Sequence, residues 1–450
     1  MLDKTRTFNR QGEMMIQQTI FGFKLEKTEE ELTAQGGLSL LAEYNHGMGL
    51  KKLVDRYLPV AGSNRGYAPS VFADTLVLML QGGGRSLEDT RELHRESSLL
   101  GLLGREDIPD PDTLGDWLRR MGDPATGGLA GLGLVRDEIN GRILKREGIE
   151  EYTLDVDATF VAGEKRDAHW SYLKEKGYMP MLGFLYEPGI CLHEEFREGN
   201  EAPAAGQLAF YEACKKRVTA GKRIGCYRAD SASYQSEVIN ALENDKVWWA
   251  ITARQDAAVK AIIADIPEAA WHEPEPGCGF EVAETVHAMN GTQTSFRLIV
   301  KREVRRQGEL FDGVAGYFHH AVASNWPEEK KNAYDVLAWH NQRGQAENFN
   351  KELKSGFGME RMPCGQACAN AVWFRIGVIA YNLFIGFKRL ACPESWGRHT
   401  IATFRWRMIQ MAGRIVRHAG RVILKLAVSA EKLALMHNIR QKIFALSLAT

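Results

Sequence analysis

The chain has 450 residues, 57 Lys and Arg against 57 Asp and Glu, and 44% hydrophobic and 25% charged residues. These proportions belong to a folded globular protein of two or three structural units; they exclude a disordered chain and a uniformly basic, DNA-coating one. Seven irregularly spaced cysteines point to reduced thiols, and no uninterrupted apolar run reaches about 18 residues, so a cytoplasmic protein with no membrane partner is expected.

Residues 14–28 read as an extended arm. A helix is expected over 38–58, with Leu40, Leu41, Tyr44, Leu50, Leu53 and Tyr57 as its apolar positions and Pro59 as its stop. Pro69 opens a second helix, apolar almost all round and therefore central, which Gly82-Gly83-Gly84 ends. Without a following Gly-Lys-Ser/Thr or a preceding strand, the three glycines are a helix terminator rather than a phosphate loop. Ser86 and Asp89 have capping-box spacing, and PDPDTLGDWLRRM (109–121) starts a further helix at Asp112 or Thr113. Short helices with sharp turns suit a helix-turn-helix-like DNA module in which Arg119 and Arg120 meet phosphate, and a plain bundle equally well.

The middle reads as a βββαβαβ run. YTLDVDATFV (152–161) alternates as a strand, with Asp155 and Asp157 on one face. Two more strands flank a turn at Pro188-Gly189; a helix over 204–218, a strand over 224–229, a helix over 233–244 and the strand VWWAITA follow. Asp230 then lies just beyond the carboxyl end of its strand, where open α/β sheets gather their sites. The 116 residues between Asp230 and Glu347 are too many for a simple connection, and 271–326 holds candidate strands at 280–287, 296–301 and 317–323. Trp248, Trp249 and Trp271 have the chemistry to stack on a base, though core packing is the commoner role. Cys364 and Cys368 lack the second close pair of a zinc site.

The stretch 339–382 carries a polar stripe. At about 100° per residue, Glu347, Lys354 and His340 fall within about 60° of Arg343, while Ala346, Phe349 and Leu353 fall on the far side. From Lys388 onward, twelve Lys and Arg stand against two acids. Arg407, Arg414, Arg417, Arg421 and Lys425 cluster there within about 80° if that segment is helical, although GRVILKL also reads as a strand. This region reads as a phosphate-tracking patch.

The spacing R-x3-E-x6-K at Arg343, Glu347 and Lys354 resembles the third catalytic block of DDE transposases from bacterial insertion sequences, written Tyr-two-Arg-three-Glu-six-Lys. His340 stands where that group has tyrosine. Glu347-Asn348, Lys354-x-Gly356-Phe357, Arg361-x-Pro363 and AYNLF at 380–384 extend the likeness. DVDAT (155–159) with LKEKGYMPML (173–182), and YRADSAS (227–233), resemble the first and second blocks, the IS-thirteen-eighty-like branch being the nearest. The resemblance implies an α/β, RNase H-like catalytic core over 149–270 and 327–390, interrupted by a β-rich insertion (271–326). A helical N-terminal region (1–148) that helps bind the element's ends precedes it, and a basic C-terminal region (391–450) follows.

It further implies that Asp157, Asp230 and Glu347 hold two Mg²⁺ or Mn²⁺ ions, with Asp155 as the alternative first ligand. Arg343, Lys354 and His340 would contact DNA. The implied reaction is cleavage at terminal inverted repeats and strand transfer into double-stranded target DNA, by a homodimer or larger assembly. The alternative is a DNA-binding protein derived from a transposase, with an inactive or co-opted site. A two-carboxylate glycosidase would have no use for Arg343, Lys354 and the basic tail.

Overall fold

The computed structural model describes residues 26–448 except 61, 63–65, 106 and 305–315, together with the backbone of an antiparallel strand pair, Thr5–Phe8 and Met14–Gln17. Residues 18–25 of the expected arm lie outside the described residues. The first helix is two, α1 (Leu38–Gly47) and α2 (Leu50–Tyr57), because Gly49 between them takes a left-handed conformation, φ +72°, that glycine adopts without a Cβ clash. Next, α3 (Pro69–Gly82) has proline in its first turn and ends at Gly83, φ +119°. Its length is buried, as its all-round apolar sequence requires. Then α4 (Pro111–Gly122) begins one residue earlier than the sequence suggested, since the Asp110 carboxylate caps it by accepting from the Thr113 N–H at 2.8 Å. A further helix, α5 (Gly128–Leu144), completes the front end.

One eight-stranded sheet follows. Its strands are β1 (Glu151–Ala158), β2 (Met181–Leu185), β3 (Ile190–Glu195), β4 (Arg223–Ala229), β5 (Trp248–Thr252), β6 (Glu281–His287), β7 (Phe296–Val304) and β8 (Tyr317–Ser324), in the spatial order β6-β7-β8-β5-β4-β1-β2-β3. β4 runs parallel to both β1 and β5, and β2 antiparallel to β1. The crossings use α6 (Gln207–Lys215) and α7 (Ser236–Asn244). The three strands of 271–326 do not stack as a separate layer: β8 pairs with β5 and continues the same sheet.

Beyond the sheet lie α8 (Ala333–Asn341), α9 (Gly344–Lys351), a π-helical turn Glu352–Gly356, and α10 (Ala367–Leu390). By length and hydropathy α10 is apolar enough to cross a membrane, yet nearly all of it is covered by protein. It packs on α3, α4 and α5 on one side and on β3 on the other. Two buried polar clusters fix that arrangement. Glu194 of β3 pairs with Arg136 of α5 and Arg375 of α10. Asn382 of α10 accepts from the Cys191 N–H at 3.0 Å, and its amide donates to Cys191 O at 2.7 Å and to Asn140 Oδ1 at 2.9 Å. Buried groups of this kind are costly unless paired, so each cluster pins α5 and α10 to β3.

Of the two readings of the basic run in the tail, the strand is the one found. Gly413–His418 (β9) and Arg421–Leu426 (β10) form an antiparallel hairpin, turned at Ala419-Gly420. Only Ala430–Leu448 (α11) is helical beyond it, packed on α1. Arg414 and Arg417 are paired with Glu30 and Glu31, so part of the basic patch is neutralised. All seven cysteines are free.

Candidate active site

The site begins with strand register. Ala229 of β4 sits beside Val156 of β1 in a parallel pair, which sets Asp230 beside Asp157 at the ends of neighbouring strands, about 4.8 Å apart by backbone spacing. One pair back, Arg228 sits beside Asp155. The sheet therefore presents two levels on one face: an inner pair, Arg228 and Asp155, and an outer pair, Asp230 and Asp157.

The inner pair is wholly buried. Arg228 donates to both Asp155 oxygens at 2.7 and 2.9 Å, its guanidinium lies over the rings of Tyr186 and Trp339 at 4.3 and 5.1 Å, and it donates to Trp339 O at 2.8 Å. Burial pushes the Asp155 carboxyl up to about 6, with Arg228 holding it down. With both oxygens engaged, Asp155 is a structural carboxylate, and the outer Asp157 is the one left facing the opening.

Helix α8 ends where Arg228 reaches it. The following turn closes through Gln342 N–H to Trp339 O and Arg343 N–H to His340 O, three residues back rather than four. This break, and the π-helical turn at Glu352, replace the single continuous helix that the stripe assumed. The stripe still converges. Arg343 reaches Asp157 Oδ1 at 3.5 Å and Glu347 Oε1 at 3.9 Å. The Lys354 ammonium donates to Phe160 O at 2.7 Å and lies near Thr159 Oγ1 at 3.3 Å, holding the loop that leaves β1.

Asn350 was not foreseen. Its amide donates to Asp157 Oδ2 at 2.8 Å. It lies one turn beyond Glu347, about 20° from Arg343 on the same helical wheel, so the stripe carried the signal.

His340 departs from the expectation of a DNA contact. It is 4% exposed, with Nε2 3.2 Å from Ala229 O and 3.3 Å from Thr252 Oγ1. Burial lowers its pKa to about 3, so the ring is neutral, and the contact with Ala229 O places the proton on Nε2. It holds the end of β4, next to Asp230, and presents no donor to solvent. The tryptophans are also structural: Trp249 and Trp271 are buried, and Trp248 stacks on Trp326 at 4.8 Å.

Burial pushes the Asp157 carboxyl up to about 6; Arg343 and Lys354 pull it down, while the negative charges of Asp230 and Glu347 push it up. Three carboxylates that repel one another at a strand end are the hard-oxygen donor set that Mg²⁺ or Mn²⁺ prefers. Among the described residues no three such side chains are close enough together to hold an ion. Glu347 is 68% exposed and contacts Arg343 at 3.9 Å.

Carboxylates at adjacent ends of parallel strands, facing a helix that brings a third acid, an arginine and a lysine, define the three-acid class of α/β enzymes. The family model described as transposase DDE domain, group 1, matches residues 22–448, and the chain belongs to that family. Its members generally use divalent metal ions. Among solved structures, a piggyBac transposase synaptic complex with hairpin DNA is similar at 10% identity, over 92% of this chain and 80% of that one, with a TM-score of 0.46. No curated protein matches the chain.

Proposed function

We propose that the protein is the transposase of an insertion sequence, of the Tyr-Arg-Glu-Lys group and the IS-thirteen-eighty-like branch, cutting DNA at terminal inverted repeats and joining the ends to target DNA. The observation that carries this is the side-by-side placement of Asp157 and Asp230 with the Arg343–Asn350 helix docked on Asp157. The order β3-β2-β1-β4-β5, with only β2 antiparallel to β1, supports reading the core as RNase H-like.

Asp157, Asp230 and Glu347 are the residues that would hold two Mg²⁺ or Mn²⁺ ions, with Asp157 shared between them. Bound there, the ions would activate the attacking oxygen and stabilise the leaving oxygen. The chain supplies the rest. Asn350 and Arg343 fix the Asp157 carboxylate, and Arg228 and His340 hold β1 and β4 in the register that keeps Asp230 beside it. Arg343 also places a positive charge where a bridging phosphate would sit, and aligning the reacting oxygen contributes several kcal/mol to such reactions. Assembly as a homodimer or larger complex on double-stranded DNA is part of this reading.

The test is to incubate the protein with DNA carrying its gene and native flanks, with and without Mg²⁺ or Mn²⁺, beside Glu347→Gln, and to map new 3′-hydroxyl ends. Metal-dependent cuts at both flanks, absent from the variant, are expected. Tight binding without cuts under any metal would instead establish a transposase-derived DNA-binding protein.

A further inference from the structure

Three concavities of about 560, 670 and 840 Å³ meet at Arg85. The first lies between the front helices and the loop after β1, reaching Gly163 and Lys165. The second runs beneath Gly82-Gly83-Gly84 to Arg405 and Trp406. The third opens along the flank of α9 to Lys351 and Arg398. Arg85 lines all three and Arg361 lines two, so the three form one branched cleft.

We infer that this cleft is a channel for single-stranded DNA, with Arg85, Lys351, Arg361 and Arg398 on its phosphates and Trp406 stacked against a base. It rests on the transposase reading and extends it from the third catalytic block to Arg85, Arg398 and Trp406, which lie outside the blocks.

Charge is the first reason. Those four cations are exposed and have no carboxylate partner among the described residues. Nine Lys and Arg line the cleft against seven Asp and Glu, a net of +2 in a protein whose total is zero.

Placement is the second. Arg85 follows the glycine turn that ends α3, and a Cβ on Gly358 (φ +73°) would lie 3.1 Å from its Cα, so two glycine sites clamp its backbone. Arg405 is fixed nearby by donating to Leu80 O at 2.5 Å and Gln81 O at 2.9 Å. Burial and the adjacent positive charge of Arg85 together lower Arg405 to about 10, with Glu352 opposing. A backbone-fixed guanidinium with a second cation beside it favours an anion between them.

Trp406 is the third. At 77% it is the most exposed large apolar side chain among the described residues, and its neighbours in sequence are Arg405 and Arg407. A protein-docking or membrane-seeking patch would surround such a ring with apolar groups. A ring at the rim of a cationic groove is the pairing that single-strand channels use. The cleft flanks the helix that carries the third acid without including any of the three acids: Gln345, Asn348 and Lys351 of α9 line its third branch, and the loop bearing Lys165 is the one that Lys354 holds.

The experiment measures binding of a fluorescein-labelled single-stranded 30-mer, of about that length to span several OB-fold-sized sites, to the full chain without divalent metal, over a range of salt. The variants are Arg85→Gln/Lys351→Gln/Arg398→Gln, Trp406→Ala and Trp406→Phe, each checked for wild-type melting. Losing three phosphate contacts should reduce the slope of log affinity against log salt by about 2. Trp406→Ala should weaken binding about 5- to 100-fold without changing the slope, and Trp406→Phe should restore most of it. A folded triple variant with wild-type slope and affinity overturns the channel. If the wild type binds and cuts DNA and Glu347→Gln does not cut, that result removes the channel alone; if the wild type binds no DNA, the transposase reading falls with it.

Discussion

Replacing Arg228 by methionine tests whether the inner ion pair carries the outer site. The change keeps most of the side chain's length, removes the cation, and leaves Asp155 buried without its partner at 2.7 and 2.9 Å. Breaking a fully buried pair on one side costs about 3–5 kcal/mol. The lost guanidinium contacts with Tyr186 and Trp339 add about 1–2 kcal/mol. Because burial already lifts the Asp155 carboxyl to about 6, losing Arg228 drives it higher, and the variant takes up a proton on folding at neutral pH. Urea unfolding followed by circular dichroism at pH 7 should show a loss of about 4–7 kcal/mol in Arg228→Met, and Arg228→Met/Asp155→Leu should recover at least half of it. In the double variant the Trp339 carbonyl keeps the Gln342 N–H but has lost the guanidinium that ties it to β4, so cleavage stays impaired although stability returns. A loss below about 1 kcal/mol in the single variant, or a double variant no more stable than the single, would refute the claim that this pair holds helix to sheet.

Asp157 yields two pH predictions. At subsaturating Mg²⁺, cleavage should rise with pH through about 6, as the carboxyl loses its proton and becomes a ligand. In metal-free protein its raised folded pKa contributes stability that is present below its unfolded value, near 3.8, and is lost as pH rises through about 6. Asp157→Asn should therefore raise the urea midpoint relative to wild type at pH 8 and give no gain at pH 3. Asn350→Ala, which frees one Asp157 oxygen, should lower cleavage about 10- to 100-fold while DNA affinity holds; unchanged turnover would remove Asn350 from the site. Gly122→Ala would set a Cβ 2.6 Å from the Cys368 backbone where α4 crosses α10, and should cost about 1–3 kcal/mol or more in thermal unfolding.

Several of these features were legible in the chain. Local chemistry wrote the helix boundaries at Pro69 and Gly83, because caps and stops act over a few residues, and came within a residue at the next helix, whose Asp110 cap starts it just before Asp112. Alternation wrote β1, and strand-end position singled out Asp230. The roles of Asp155 and His340 were not readable, since both depend on register between strands some 70 residues apart and on a helix laid across them. From sequence, Asp155 and Asp157 are equal acids on one face; only Arg228 opposite Asp155 separates them. The His340 ring faces inward because the turn after α8 tightens against Arg228, which a uniform 100° wheel cannot represent. The basic tail reads both ways for a related reason: Gly413 and Gly420 permit a hairpin, and its partners, Glu30 and Glu31, lie some 380 residues away.

The long helix α10 has a consequence for synthesis. It fills the front end's core from 367 − 144 = 223 residues further along the chain than α5 ends. At about 5–20 residues per second, a ribosome needs roughly 10–45 s to cover that interval. Until then α3, α4 and α5 lack the surface they pack against, and the emerging front end exposes apolar faces to chaperones and proteases. A chain cut short before residue 367 lacks the helix that covers this core, so the supply of folded protein depends on ribosomes that reach the last fifth of the chain.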